Sequence, residues 1–464
     1  MNTHFERAEP MVMVSSKTKD QLKNLSELLQ GDLDFHQMQS SYASHNFHSF
    51  PAKFPPQLPQ LFIQNLTDVG DIVLDPMNGS GTTILEAQLA KRIGIGLDID
   101  PLALKISQVK TCSLKPLAVY EQGLRLLKSA RMMLDSSPEV IEKYLQTRWD
   151  EETRRFIDYW FLEPVQKELA SLRIQIEKIE DIPLRRFFDV VFSGIIITKS
   201  GGVSLALDLA HTRPHRVKIV SDKSNNILYS EIEENQEIRS HWVKKYRSPF
   251  EEFEKKLKTN IKGLQEIISL PVNHILSDAQ KIPFRDNSID LIVTSPPYAS
   301  NAIDYMRAHK FSLVWLGYSI SSLSRKRSEY IGADSQSKTD SEMLPVFTRA
   351  IVEEISALDK RKGIVLERYY SEMKRVLMEI YRVLKPGKCA IVVVATSILR
   401  GKNTQTHLCL ADIGKQAGFM VPEIGVRNLD RDKRMMPATL QNNSESQIQQ
   451  RMHEEYVIGF YKPA

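Results

Sequence analysis

The chain has 464 residues, 42% of them apolar, a length that suits two or three domains and a composition that excludes wholesale disorder. Its net charge of +5 is a mild basic excess, compatible with a polyanionic partner without requiring one. No apolar run reaches the roughly 18–20 residues of a membrane helix, the first twenty residues lack the apolar core of a signal peptide, and the scattered Cys112, Cys389 and Cys409 support neither a disulfide framework nor a zinc site.

The expected setting is therefore a reducing cytoplasm, with no membrane partner. Residues 1–45 are read as an N-terminal helical arm. From about residue 58 the pattern becomes regular. LPQLFIQNL reads as a short helix, IVLD (72–75) as a buried strand and NGSGTT as a tight turn. TILEAQLAKR reads as a helix, IGIGLD (93–98) as a second strand and PLALKISQVK as another helix. Strand, glycine turn, helix, strand is the opening of a doubly wound α/β sheet. Residues 112–270 read as a mainly helical insertion, with one long helical pattern over 151–179 and a loop-like, basic segment TKSGGVSLALDLAHTRPHRVK. Alternation of strand and helix resumes at NHILSDA and SIDLIVTS, runs through 369–396 and closes with EEYVIGFY. The α/β part thus occupies 46–111 and 271–464, the latter interrupted by a smaller irregular stretch at 319–366.

Chemistry concentrates at strand ends. Asp75 ends the first strand, Gly79 and Gly81 permit a tight turn, and Thr82 or Thr83 is placed to cap the helix that follows. Backbone N–H groups at such a helix start can hold a carboxylate or phosphate. GSGTT lacks the lysine of a P-loop and is not GxGxxG, which disfavours NTP hydrolysis and a nicotinamide site. Asp98 ends the second strand, where an acid accepts hydrogen bonds from both hydroxyls of a ribose. Asp278 follows another strand, in a position to meet an adenine amino group, because loops after neighbouring strands share one crevice. Alone, each of these is also what an ordinary glycine turn or surface acid would look like.

The segment Ser295-Pro296-Pro297-Tyr298 closes a buried apolar run. Two prolines fix two φ angles and remove two donors, and the preceding serine is pushed to an extended conformation. The result is a stiff, acceptor-rich corner suited to an incoming amino group. Tyr298 adds a flat face for a planar base, worth about 1–3 kcal/mol by analogy with base stacking elsewhere.

Together these segments resemble the amino-methyltransferases of DNA. DPMNGSGTT (75–83) is similar to that family's cofactor motif, SPPY (295–298) to its catalytic motif, and FPAKFPP (50–56) to a further motif that helps hold the methionine end of the cofactor. The resemblance implies a Rossmann-like methyltransferase sheet and S-adenosylmethionine as cofactor. It assigns cofactor contacts to Ala52, Lys53, Phe54, Asp75, Pro76, Gly79, Ser80, Gly81, Thr82, Thr83, Asp98 and Asp278. It assigns the catalytic corner to Ser295, Pro296, Pro297 and Tyr298. The motifs run in the cofactor-half-first order, but the 112–270 insertion precedes Asp278, where members with this order usually place recognition residues after that acid. The insertion is expected to be a DNA-recognition or cap region.

The implied reaction is direct attack of an exocyclic amino nitrogen on the cofactor methyl, on a base flipped out of double-stranded DNA. Cytosine C5 chemistry is disfavoured: it needs a Cys nucleophile, usually after Pro, and the three cysteines follow Thr111, Lys388 and Leu408. Serine at position 295 favours cytosine N4 over adenine N6. The expected protein is a site-specific modification enzyme of a prokaryotic cytoplasm, with or without a cognate restriction endonuclease. RNA, a protein glutamine, and a non-catalytic DNA-binding role are the competing readings. On the helix after the corner, Tyr305, Phe311 and Trp315 are read as core in preference to base pocket, and Arg307 and His309 as a solvated face or phosphate contacts. HTRPHR (211–216) and RNLDRDKR (427–434) are basic enough to touch a DNA backbone.

Overall fold

The structure, a computed structural model, describes residues 16–36, 38–50, 53–207, 209, 214–232, 242–299, 304–333, 343–429 and 454–464. In chain order, helices α1 (Ser16–Gln30) and α2 (Gln57–Leu66) precede β1 (Ile72–Asp75), α3 (Thr82–Leu89), β2 (Ile93–Asp98) and α4 (Pro101–Lys110). Helices α5 (Pro116–Ser136), α6 (Pro138–Thr147), α7 (Glu151–Trp160), α8 (Glu163–Glu177) and α9 (Ile182–Ile196) follow. Three short strands, β3 (Ile219–Ser221), β4 (Ile227–Ser230) and β5 (Val243–Lys245), lead to α10 (Pro249–Gly263). The chain then passes through β6 (Val272–Leu276), β7 (Ile289–Thr294), α11 (Tyr305–Leu313), α12 (Ile320–Ser328), α13 (Val346–Leu358), α14 (Lys360–Val383) and β8 (Leu384–Val394). A two-residue ladder of β9 (Ile398–Leu399) and β10 (Lys402–Asn403) precedes α15 (Thr406–Gln416), β11 (Ile424–Asn428) and β12 (Glu454–Tyr461).

Seven strands form one sheet in the order β11-β12-β8-β7-β1-β2-β6. The run from β6 to β8 is parallel, and β12 and β11 add antiparallel at one end. From β1 the chain steps outward to β2 and β6, then returns to β7 on the other side of β1 and steps outward again to β8. This reversal makes the β1/β7 boundary the topological switch point, where a crevice opens beyond the carboxyl ends of the strands.

The strand sequences follow from burial on both faces, which replaces polar alternation by continuous apolar runs. Val73, Leu291, Val293, Ile391 and Val393 face a core with α1 and α2, while Leu74, Ile292, Ala390 and Val392 face a core with α14 and α15. Fully burying each of the valine, leucine and isoleucine side chains contributes roughly 1.5–3 kcal/mol. The helix of the N-terminal arm is part of this packing: Leu25 and Leu29 are buried in the first of these cores.

Helices α5–α10 share a third core with α4 and α11, built around Leu102, Ile106, Phe192, Phe311 and Trp315. Phe311 and Trp315 have no exposed surface, so the core reading of those two residues holds. The helical pattern over 151–179 is two helices, broken after Trp160. Pro164 causes the break, because proline is tolerated only in a first helical turn, where its missing N–H has no partner to lose. The segment read as loop-like leads into a small sheet of order β4-β3-β5. Within 319–366, read as irregular, the described residues form α12, α13 and the start of α14. There α13 buries Thr348, Ile351, Val352 and Ile355, a stripe at helical spacing.

Candidate active site

The glycine turn bends where the sequence placed its glycines. Gly79 and Gly81 have φ of 51° and 78°, the left-handed region that side chains resist. A Cβ on Gly81 would also stand 2.0 Å from Ser107 Oγ, so only glycine fits. The expected threonine cap is absent: Gly81 is the N-cap of α3, with no side-chain cap bond. Thr83 instead donates to the Val293 carbonyl at 3.2 Å, stitching α3 to β7.

That turn opens into a cleft enclosing roughly 900 Å³, its mouth included, at the carboxyl ends of β1, β2, β6 and β7. Of the residues assigned from sequence, Lys53, Phe54, Asp75, Pro76, Gly79, Ser80, Thr82, Asp98, Asp278, Ser295 and Pro297 line it. Gly81, Thr83, Pro296 and Tyr298 flank those residues in sequence without lining the cleft, and Ala52 lies outside the described residues. The two motifs share this one space because Asp75 and Thr294 end adjacent strands; the Thr294 hydroxyl donates to Asp75 Oδ1 at 2.7 Å.

Among the described residues, Asp98 is held by backbone hydrogen bonds. Gly79 N–H donates to one carboxylate oxygen at 2.7 Å and Asp100 N–H to the other at 2.8 Å. A carboxylate has about four acceptor sites, so two remain for a ligand. Burial, and then the charge of Asp100, push its carboxyl up to about 7. Burial likewise raises Asp75 to about 6, against hydrogen bonds from Thr294, Thr83 and Met77. Asp100 goes the other way. Burial opposes its charge, but the neighbouring His309 and hydrogen bonds from His309, Tyr330 and Ala103 hold it below the usual carboxylate range. His309 Nδ1 lies 2.6 Å from Asp100 Oδ2, and the Tyr330 hydroxyl donates to the same oxygen at 2.9 Å. His309 is therefore fully buried, on neither a solvated face nor a phosphate track. Arg307 pairs with Asp304 at 2.8 Å.

On the far wall, both oxygens of Asp278 receive the Gln280 side-chain amide, at 3.3 and 3.2 Å. Ser295 Oγ donates to the Val393 carbonyl at 3.0 Å, which commits its proton and leaves its lone pairs as acceptors. The Tyr298 hydroxyl donates to Glu455 Oε1 at 2.8 Å.

The segment before Lys53 is clamped from two sides. Lys53 Nζ donates to the carbonyls of His45 (3.0 Å) and His48 (3.4 Å), Lys256 of α10 to that of Asn46 (3.2 Å), and Asn260 of α10 to that of Phe47 (3.1 Å). Four consecutive carbonyls are thus satisfied by side chains. Desolvation of its ammonium, then the like charges of Lys256 and Lys199, lower Lys53 to about 8, although the residue as a whole is exposed. Beyond the clamp, Phe50 lines the cleft and stacks on Tyr305 at 5.3 Å.

Several lining residues went unassigned from sequence: Phe50, Asn78, Asp100 and the strap Glu329-Tyr330-Ile331 after α12; Tyr305, read as core, also lines the cleft. Phe50 opens the FPAKFPP segment and was within reach of a motif argument. The strap carried no local signal. In both basic runs the described arginines have partners within the protein. Arg216 stacks over Tyr159 at 4.5 Å and pairs with Glu231, and Arg427 is buried in an ion pair with Glu455; residues 211–213 and 430–434 lie outside the described residues.

The site fits S-adenosylmethionine in its donor set. Asp98 keeps acceptor capacity for ribose hydroxyls, Gly79 lines the cleft beside it, and Asp278 stands across the cleft.

Comparison with known proteins agrees. Residues 4–109 match the family model described as DNA methylase, of the N6/N4 methyltransferases. The chain is 24% identical to the Type II methyltransferase M.MvaI of Kocuria varians, over 80% of this chain and 81% of that protein. It is 23% identical to the Type II methyltransferase M.BsoBI of Geobacillus stearothermophilus, over 76% of this chain and 74% of that one. Among solved structures, a SAM-dependent methyltransferase of Methanosarcina mazei overlaps 87% of this chain and 98% of its own at 9% identity and a TM-score of 0.30, too distant to add to the argument. The motifs and these matches point the same way: residues 4–109 are similar to the DNA methylase family, and most of the chain is similar to Type II methyltransferases.

Proposed function

We propose that this chain is a Type II modification enzyme that methylates the exocyclic N4 of cytosine at a specific site in double-stranded DNA, acting on a flipped base. The observation that most directly supports this reading is the shared cleft: the Ser295 corner and the Asp98 acid open into one space at the switch point. S-adenosylmethionine supplies an electrophilic methyl group when bound. Asp98 would hold its ribose, Asp278 its adenine amino group, and Lys53 with Phe54 its methionine end.

The protein's part of the chemistry is then positional. An amino nitrogen conjugated to a base ring is a poor nucleophile, because its lone pair is delocalised. Ser295 Oγ, its proton given to Val393, offers only acceptor lone pairs to such a group. Accepting N–H from the amino group, with the carbonyl of Pro296, favours a pyramidal nitrogen with a localised lone pair. Tyr298 would support the base face, and positioning would provide much of the acceleration. No side chain is required as a general base.

Ser295 favours cytosine by motif resemblance, and adenine N6 is the second reading. The test is to incubate purified protein and tritiated S-adenosylmethionine with duplex DNA, tRNA and protein, then digest the labelled product to nucleosides. The expected product is N4-methylcytosine from duplex DNA. N6-methyladenine would replace cytosine with adenine; label in tRNA or protein alone would overturn the reading.

A further inference from the structure

The tyrosine of the corner is fastened from the other end of the chain. Tyr298 donates to Glu455 Oε1 at 2.8 Å, and the Arg427 guanidinium pairs with Oε2 of the same carboxylate. Glu455 on β12 and Arg427 on β11 are register partners across the antiparallel edge of the sheet. Both are nearly sealed from water, at 8% and 4% exposure.

Burying an ion pair removes two charges from water, and an apolar pair at the same register would hold the ladder at least as well. The pair therefore calls for a role beyond joining two strands. Among the described residues it has a further partner: the carboxylate oxygen not used by Arg427 takes the hydroxyl of Tyr298. The ring of that tyrosine packs against the core shared with α14 and α15. With its hydroxyl tethered, the ring is held at both ends of its long axis, so its position is set before any base arrives, and packing against that core restrains its rotation about the axis.

We infer that Glu455 is the positioning residue for Tyr298, and that Arg427 keeps its carboxylate in place, so that the ring stands ready as the support for the target base. This rests on the proposed role of the 295–298 corner. Small errors in the attacking geometry lower rate far more than affinity, so loss of the tether should appear in kcat.

The experiment uses the full-length chain with Glu455→Ala, Glu455→Gln, Tyr298→Phe and the double variant Glu455→Ala/Tyr298→Phe. Methyl transfer to unmethylated duplex DNA of mixed sequence gives kcat and KM, calorimetry gives cofactor affinity, and a fluorotyrosine at position 298 reports the ring by ¹⁹F NMR. Glu455→Ala is expected to lower kcat 10- to 100-fold, with cofactor affinity within twofold, and to change the fluorotyrosine signal. Tyr298→Phe should lose a similar amount and the double variant no more than either. Glu455→Gln still accepts a hydrogen bond and should recover most of the rate. Should Glu455→Ala fail to fold, Tyr298→Phe leaves the ion pair intact and tests the tether alone. An unchanged signal and rate in Glu455→Ala, or losses that multiply in the double variant, would overturn the inference. A wild type that methylates no DNA while its ring signal still depends on Glu455 would count against the proposed function and leave the tether standing.

Discussion

Two clusters of buried charge meet on α4 and are completed differently. On the side of the insertion, Asp189 takes Arg173 on one oxygen and Lys105 of α4 on the other, each at 2.5 Å, and Arg173 also reaches Glu177 at 3.1 Å. Each carboxylate there has a cation. At the start of the same helix, Asp98 faces a second carboxylate, Asp100, and the hydrogen bonds it receives come from two backbone N–H groups. The first cluster is closed and fastens α4, α8 and α9 together. The second is open, and its spare acceptor sites face a cleft. A partly buried carboxylate without a cation is unfavourable by itself, and a ligand that donates hydrogen bonds there removes the deficit.

This contrast can be broken by substitution. Asp189→Ala should have the largest effect, a loss of about 3–5 kcal/mol in unfolding free energy, because it strands a guanidinium and an ammonium. Urea unfolding measures it, and a loss below about 1 kcal/mol would mean that the closed cluster is not a fastening. Asp98→Ala should leave the free protein as stable as before or more so, the opposite sign. It should weaken cofactor binding roughly 10- to 150-fold, as expected for about 1.5–3 kcal/mol of charged hydrogen bonds.

The same residue predicts a pH dependence. Its carboxyl sits at about 7 in the free protein, pushed up by burial and then by Asp100. Cofactor affinity should therefore rise with pH through 7 and level off above it. Because the folded-state value is raised, Asp98 makes the free protein lose stability as pH climbs from about 4 to 7. Calorimetric titration between pH 6 and 8 checks the first; an equal slope in Asp98→Ala would assign the titration elsewhere. The smallest effect is expected from Tyr330→Phe, which removes one of several donors to Asp100. A two- to tenfold loss of cofactor affinity, about 0.5–1.5 kcal/mol, is expected, and no change would separate the strap from the site.

What could be read from sequence was local. Gly79, Gly81, Asp75 and Asp98 lie in one strand-turn-helix-strand unit, where turn chemistry and strand ends follow from nearest neighbours. Thr83 shows the limit of such reasoning: its hydroxyl had a choice between capping its own helix and crossing to Val293, and tertiary packing decided. His309 and Tyr330 meet Asp100 across 209 and 230 residues, and Tyr298 meets Glu455 across 157. No periodicity encodes such pairings. The partners of the two basic runs were hidden for a related reason, because the charge of Arg427 or Arg216 says nothing about whether a carboxylate awaits it in the fold.

The clamp on residues 45–48 bears on how this enzyme could be made smaller. Two of its donors, Lys256 and Asn260, come from the last helix of the region that separates the two halves of the sheet. Excising that region to obtain a minimal catalyst would orphan the carbonyls of Asn46 and Phe47 and loosen the chain that carries Phe50 to the cleft. The helical region is a buttress of the cofactor wall, whatever else it contacts, and a shortened enzyme would need new donors at those two carbonyls before it could bind its cofactor well.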